Sequence, residues 1–193
     1  MIMSADTRNP IGPVRPDAIS VETTRLSLTA VRASDLDDVM KVFSERSTAR
    51  MTHAIAHPLG LEDAQKLLAD MTADPYAYWA IRLDDDRLIG IVSLTQSACG
   101  RAGGMHSFGP NLSVFVAPDH QNKGYGAEAV EGLLHWVKRR KLHRVIHAAH
   151  FADNEASAKM LVGTDFLYTG RRSFETSLAR TGEHLALHMI RIL

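Results

Sequence analysis

A short turn with two glycines, set between a strand-like run and a helix-like run, carries the strongest chemical signal in the sequence. The strand-like run covers residues 112–118, the turn contains Gln121, Gly124 and Gly126, and an amphipathic run follows from Ala127. Glycines let the backbone approach a ligand closely, and the first amides of a helix have no partner within it. Such amides bind anions. The junction therefore predicts a phosphate site, although a tight turn without a ligand explains these residues, taken alone, about equally well.

The spacing of the glycines distinguishes this turn from the common nucleotide-binding loops. The sequence around it reads Q-x-x-G-x-G and contains neither G-x-x-x-x-G-K-[ST] nor G-x-G-x-x-G. No acidic magnesium ligand follows at a useful spacing, which disfavours a general nucleotide-phosphate binder.

Length and composition favour one globular domain with a small-molecule or peptide partner. The chain has 193 residues, and Lys plus Arg equal Asp plus Glu at 22 each, so no basic field indicates nucleic acid or a membrane surface. Cys99 is the single cysteine, which agrees with a reducing compartment. No bilayer-spanning run or secretory signal is recognisable, and we expect a cytoplasmic protein. The acidic triplet at 84–86 is typical of a hairpin turn, and we expect no metal site.

Hydrophobic periodicity predicts an extended or poorly ordered arm at 1–20 and one α/β (α+β) domain at 21–193. The domain has a mixed sheet of about seven strands and about four helices. Ser34 is the predicted cap of the first helix, with acidic residues in the turn that follows. Because a helix joins the strands at 112–117 and 144–150, those two strands should be parallel. Strands are predicted at 22–31, 76–82, 87–95, 112–117, 144–150, 166–174 and 183–193, and helices after Ser34 and at 61–72, 127–141 and 153–162.

The order of elements and three separated motifs resemble the GNAT superfamily of N-acetyltransferases. The opening E-T-x-R-L-x-L at 22–28 is similar to that of the ribosomal-protein alanine acetyltransferases, the RimJ/RimL-like subgroup. The other two motifs are the Q-x-x-G-x-G turn and Asn154-x-x-Ser157 followed by Phe166. The family usually has glycine where this chain has Asp165. Because Asp tolerates the left-handed backbone better than most residues, we expect a modified turn with the fold kept.

The resemblance implies that the phosphate ligand is acetyl-CoA. The amides at 121–127, with Lys123 as a mobile cation, would hold the pyrophosphate. The strand containing Val114 would bind the pantetheine arm where the two parallel strands splay apart, and its backbone N–H would serve the oxyanion. The implied cofactor contacts are Val114, Phe115, Val116, Gln121, Asn122, Lys123, Gly124, Tyr125, Gly126, Ala127 and Asn154.

The resemblance also implies direct attack of a primary amine on the thioester. Ser157 would give a proton to the departing thiolate, with Asn154 on the pantetheine; the alternative for both is an ordinary role in the first turn of a helix. His150 or His147 would be the base. Three apart on a strand, they face opposite sides, so at most one enters the cleft. A structural histidine, with a water collecting the proton, is an equal alternative.

The acceptor is expected to be a protein N-terminus or a small-molecule amine. Its pocket would form from loops at 50–60 and 97–110, the second of which contains His106. The last hairpin offers an edge for a homodimer. The competing hypothesis is a CoA-binding regulatory or scaffold protein without transfer, favoured by Asp165 and by the absence of an obvious base.

Overall fold

A computed structural model describes residues 20–95 and 109–193. Most of the predicted arm at 1–20 and most of the 97–110 loop, with Cys99 and His106, lie outside the described residues.

The described residues form one mixed sheet of eight strands, one more than predicted, in the order β1-β2-β3-β4-β5-β6-β8-β7. Five α-helices accompany it, and the predicted mixed α/β fold is confirmed. The strands are β1 Val21–Glu22, β2 Ser27–Ala30, β3 Tyr78–Arg82, β4 Leu88–Thr95, β5 Asn111–Val116, β6 Val145–Phe151, β7 Leu167–Thr176 and β8 Glu183–Ile192, and the helices are α1 Leu36–Phe43, α2 Arg46–Ala49, α3 Leu61–Ala73, α4 Tyr125–Arg139 and α5 Glu155–Gly163.

The extra strand arises because the single strand predicted at 22–31 is wrong. The segment is a hairpin in which β1 pairs antiparallel with β2. Thr23 closes its turn: the Thr23 N–H donates to the Leu26 carbonyl at 2.9 Å, and its hydroxyl oxygen accepts from the Leu26 N–H at 3.1 Å. A threonine hydroxyl competes for backbone donors in this way at turns. The hairpin places Arg25 at its tip.

The prediction that Ser34 caps the first helix is also wrong. Ser34 lies within a 3-10 turn, Ala33–Asp35, and α1 begins after Asp35. The Asp35 Oδ2 accepts from the Arg32 N–H at 2.7 Å and from the Arg82 Nη2 at 2.7 Å. A buried charge such as that of Arg82 requires a partner of opposite charge. Asp35, the last residue of the 3-10 turn, supplies that carboxylate.

Helices cover both faces of the sheet and enclose two apolar clusters. On one face α4 places Val130, Leu133 and Val137 against Ile146 of β6. On the other face α1 and α3 pack over β3, β4 and β5, with Phe43 in ring contact with Phe115. The amphipathic runs of the sequence therefore correspond to the buried stripes of these helices.

The parallel strands β5 and β6 diverge, which confirms the predicted splayed pair. In the described part of the chain they pair at a single register position, Asn111 with His147. On its other side β5 pairs with β4 along its whole length, from Asn111 to Val116. Past Asn111 and His147, towards the C-terminal ends of both strands, β5 and β6 are therefore unpaired, and a gap opens between them.

Asp165 has the left-handed backbone predicted for it, with φ of 58°. The Phe166 N–H donates to the Leu161 carbonyl at 3.0 Å, as in the turns that end helices. The usual glycine of the family is therefore replaced without loss of the turn.

Candidate active site

The glycine turn forms the start of α4 and lies beside the gap. Gly124, at the position that caps α4, has φ of 80°, and Asn122 has φ of 59°. The helix begins at Tyr125, two residues before the predicted start, because the left-handed Gly124 already turns the chain into helical register. The first amides of α4 therefore follow the turn directly, as an anion site requires.

Side chains of the turn hold it against the end of β5. The Gln121 Nε2 donates to the Val116 carbonyl at 2.9 Å, and the Lys123 Nζ donates to the Asp119 carbonyl at 2.7 Å. A Cβ on Gly126 would lie 3.6 Å from Val116. The Gln121 side chain thus fixes the loop to the strand. Because that side chain is engaged, Gln121 would bind a ligand through its backbone amide.

Arg25 contacts this loop, a position that its place in the sequence does not indicate. Its Nε donates to Glu128 Oε2 at 2.7 Å, and its Nη1 donates to the Lys123 carbonyl at 3.1 Å. Its guanidinium also lies over the Tyr125 ring, 4.6 Å from the centroid. The E-T-x-R-L motif contained the residue, but only the hairpin turn brings it to the loop.

Two titratable side chains near the loop, Glu128 and His120, have pKa values below their usual ranges, for different reasons. Partial burial alone would raise the pKa of Glu128, but hydrogen bonds from Thr23 and Arg25 lower it below its usual value. Burial, and then the Lys123 and Arg87 cations, lower the pKa of His120. At neutral pH Glu128 is therefore ionised and His120 is neutral, so His120 adds no positive charge to the anion site.

Asn154 and Ser157 meet at the first turn of α5, the helix that follows β6. Asn154 is the helix cap, and its Oδ1 accepts from the Ser157 backbone N–H at 3.1 Å. Ser157 is half-buried, on the same side of α5 as the buried Leu161. The capping interpretation of Asn154 is confirmed, and its predicted contact with pantetheine stays a prediction.

The two histidines of β6 lie on opposite faces of the sheet, as predicted. His147 is at the last rung that joins β5 and β6, and its Nε2 is buried without a hydrogen-bond partner among the described residues. His150 is 6% exposed, and its Nδ1 and Nε2 lie 2.8 Å from the Phe151 carbonyl and 3.1 Å from the Tyr168 hydroxyl. The catalytic role predicted for His150 stays a prediction, and these contacts give it a structural role.

The 50–60 loop borders the sheet on the same face as His147. The His53 Nδ1 lies 3.0 Å from the Thr176 carbonyl, and its ring packs against Phe151 with centroids 5.3 Å apart. Phe151 is four residues from His147 on β6, so the two share a face, about 13 Å apart. The 50–60 loop and His147 thus lie on the same face of the sheet.

An ion cluster fastens this loop to the turn between β7 and β8. Arg50 from the loop lies 3.2 Å from Asp153, and Arg180 from the turn hydrogen-bonds the same carboxylate. Burial alone would raise the pKa of Asp153, but the Arg180 hydrogen bond and charge lower it. Asp153 is therefore an ionised link between two segments rather than a base for an amine.

The glycine turn at the start of α4 opens onto a gap between two parallel strands, and this geometry suits a long ligand that carries phosphate groups. The family described as "Acetyltransferase (GNAT) domain" matches residues 25–166. The chain belongs to the GNAT acetyltransferase family, and it is an acyltransferase.

Solved structures with the same fold include several acetyltransferases. Ribosomal-protein-S5-alanine acetyltransferase from Vibrio fischeri has a TM-score of 0.71 at 18% identity, covering 90% of this chain and 96% of that one. The RimL ribosomal L7/L12 alpha-N-protein acetyltransferase in complex with coenzyme A has a TM-score of 0.72 at 16% identity, covering 91% and 98%. The microcin C7 self-immunity acetyltransferase MccE, in complex with acetyl-CoA and AMP, has a TM-score of 0.71 at 11% identity, covering 89% and 94%. No curated protein sequence is significantly similar to this one.

In residues 20–95 and 109–193, the helices are too short or too polar to span a bilayer. No group of three or more His, Cys, Asp or Glu side chains in those ranges is arranged to hold a metal ion.

Proposed function

We propose that the protein transfers an acetyl group from acetyl-CoA to a primary amine by direct attack of the amine on the thioester. The observation that carries this proposal is the position of the left-handed Gly124 and the start of α4 beside the gap between β5 and β6. Backbone amides at 121–127 suit a diphosphate, and the edge of β5 suits an extended pantetheine arm. The proposed contacts are Val114, Phe115, Val116, Gln121, Asn122, Lys123, Gly124, Tyr125, Gly126, Ala127 and Asn154.

The proposed reaction moves one proton from nitrogen to sulfur. The amine nitrogen attacks the carbonyl carbon, and backbone N–H on β5 stabilises the oxyanion. When the oxyanion collapses, the C–S bond breaks and the thiolate takes a proton from Ser157. The nitrogen gives up a proton to a base, and transfer of that proton through solvent restores the hydroxyl of Ser157. The products are an amide and CoA with a free thiol, so the proton lost by nitrogen balances the proton gained by sulfur.

His147 is the base that the geometry favours over His150. The cofactor loop lies at the start of α4, and α4 packs on one face of the sheet, whereas His147 and the 50–60 loop are on the other face. An amine that approaches from the 50–60 side meets His147 at the apex of the gap. Among residues 20–95 and 109–193 the buried Nε2 of His147 has no hydrogen-bond partner, while both nitrogens of His150 have one. Within that part of the chain, the Nε2 of His147 is the buried histidine nitrogen on β6 that has no hydrogen bond.

Replacing Ser157 with alanine is expected to lower kcat about tenfold, the equivalent of about 1.4 kcal/mol for one lost hydrogen bond, with little change in the Kd for acetyl-CoA. Alanine keeps the backbone N–H that Asn154 accepts, so the cap of α5 survives and the hydroxyl alone is lost. Steady-state kinetics and calorimetric titration with CoA separate the two quantities. Ser44→Ala, which removes an exposed hydroxyl at the end of α1, is the matched control. Full turnover by Ser157→Ala would remove this residue from the mechanism.

The proposed acceptor is a protein N-terminus or a small-molecule amine. Two structures with this fold belong to enzymes named for ribosomal-protein acetylation, S5 alanine in one and the L7/L12 alpha-amino group in the other. Release of free thiol from acetyl-CoA, measured with peptides that begin with Ala or Ser and with a panel of small amines, tests the proposal. Tight CoA binding without amine-dependent release would support the regulatory or scaffold protein instead.

A homodimer and a cytoplasmic location complete the proposal. β7 is an edge strand, and its Leu167 and Phe174 are 68% and 69% exposed. Such an edge favours pairing with a second strand. Sedimentation equilibrium would distinguish one copy from two. The single cysteine supports the location, because a chain without an internal disulfide suits a reducing compartment.

A further inference from the structure

Arg25 and Glu128 form a charged pair at the edge of the glycine turn at 121–126, the proposed anion loop. Glu128 Oε1 accepts from the Arg25 backbone N–H at 2.8 Å and from the Thr23 hydroxyl at 2.7 Å, while Oε2 accepts from the Arg25 Nε at 2.7 Å. The Glu128 side chain is 17% exposed and that of Arg25 is 47% exposed. The tip of the β1–β2 hairpin therefore encloses the carboxylate with three donors.

The carboxylate of Glu128 has two opposing effects. In the first turn of α4 it stabilises the helix, because it lies near the positive end of the dipole. The same position puts a negative charge within a Debye length of the amides that would bind a diphosphate. An unpaired carboxylate there would repel the ligand. Arg25 supplies the charge that cancels it.

Arg25 also fixes the direction of a backbone donor in the loop. Its Nη1 holds the Lys123 carbonyl, and a carbonyl and the following N–H point in opposite directions across a trans peptide. The Gly124 N–H is therefore directed away from Arg25. A Cβ on Gly124 would lie 3.4 Å from the Arg25 Nη2, so the guanidinium packs directly on this residue.

We infer that Arg25 is a positioning residue for acetyl-CoA, which neutralises Glu128 and holds the Lys123–Gly124 peptide so that the loop accepts a diphosphate. The inference rests on the proposed function, because it needs the diphosphate at this loop. It accounts for the arginine of the E-T-x-R-L opening by electrostatics and backbone orientation. Arg25 acts through Glu128 and the loop rather than on the reacting atoms.

The test uses the full chain and measures CoA binding by calorimetry and the KM and kcat for acetyl-CoA. Arg25→Ala is expected to raise the Kd for CoA and the KM about tenfold, with kcat at saturation within about twofold of the parent protein. The loss should shrink as salt is raised, because it is electrostatic. Adding Glu128→Gln to Arg25→Ala should recover most of the lost affinity, since it removes the uncompensated charge.

Arg32→Ala is the matched control. Arg32 is 49% exposed and pairs with Asp86, and its side chain has no hydrogen bond to Lys123 or Glu128, so its removal is expected to leave the Kd for CoA unchanged. Thermal melts establish that each variant is folded. A normal Kd in a folded Arg25→Ala protein, or a double variant that binds as weakly as Arg25→Ala, overturns the inference. If Arg25→Ala and Gly124→Glu both bound CoA normally, the assignment of the loop to the diphosphate would fail. If Gly124→Glu lost binding while Arg25→Ala bound CoA normally, only the role of Arg25 would fail.

Discussion

Gly124→Glu is expected to abolish measurable CoA binding, with a loss of at least about 1,000-fold in affinity. Gly124 has φ of 80°, a conformation that costs a residue with a side chain about 1–2 kcal/mol. The new side chain would start 3.4 Å from the Arg25 Nη2, so it would displace or capture the guanidinium that neutralises Glu128. It would also place a second carboxylate at the site of a diphosphate, where like charges repel. Calorimetric titration with CoA measures the effect.

Gly170→Glu controls for backbone strain in this experiment. Gly170 has φ of 79°, and a Cβ there would have no atom within 4 Å, so the variant carries the same strain on β7 without a clash. Its Kd for CoA is expected to match that of the parent protein, and its thermal stability should fall about as much as that of Gly124→Glu. Normal CoA binding by Gly124→Glu would refute the diphosphate assignment.

His147→Gln is expected to lower kcat/KM for the amine about 100-fold at neutral pH, while the Kd for CoA stays unchanged. Loss of a positioned base removes a contribution of about 10²–10⁴-fold, and glutamine preserves the size of the side chain without taking a proton. The rate of the variant should rise with pH more steeply than that of the parent protein, because only the amine that has already lost its proton can react. Stopped-flow thiol release across pH 6–9.5 gives both quantities.

His150→Gln separates the two histidines of β6. Its ring bonds the Phe151 carbonyl and the Tyr168 hydroxyl, so the variant is expected to unfold at lower denaturant concentration and to keep kcat within about threefold. A large fall in kcat for this variant, with normal turnover by His147→Gln, would make His150 the base. Equal, full activity in both would leave proton removal to solvent.

The sequence by itself determined the elements around the gap, because their signals are local. The two glycines after a β-branched run predicted a loop at the start of a helix, and Gly124 has the left-handed backbone that only such a residue adopts readily. Alternation along β6 placed His147 and His150 on opposite faces. Asp165 was expected to take the left-handed turn, and it does. Each of these depends on neighbours within a few residues.

The sequence predicts wrongly the segments whose backbone conformation depends on a contact with a residue far away in the chain. The alternation around Leu28 suggested one strand at 22–31, but the hydroxyl of Thr23 closes a turn, and Glu128, far along the chain, holds it. Ser34 looked like a cap, but Asp35 is the residue that the buried Arg82 requires. Propensity cannot resolve such cases, because the deciding contact joins residues far apart in sequence.

The contacts of the two histidines and of Arg25 depend on tertiary structure alone. The sequence determined which side chains share a strand face, since the side-chain period of a strand is two. Only the packed sheet showed that β5 and β6 part at His147, that the ring of His150 is already bonded, and that a hairpin tip carries Arg25 to the loop. A side chain's neighbours across the fold depend on how whole elements pack against one another. The periodicity of one element does not predict that packing.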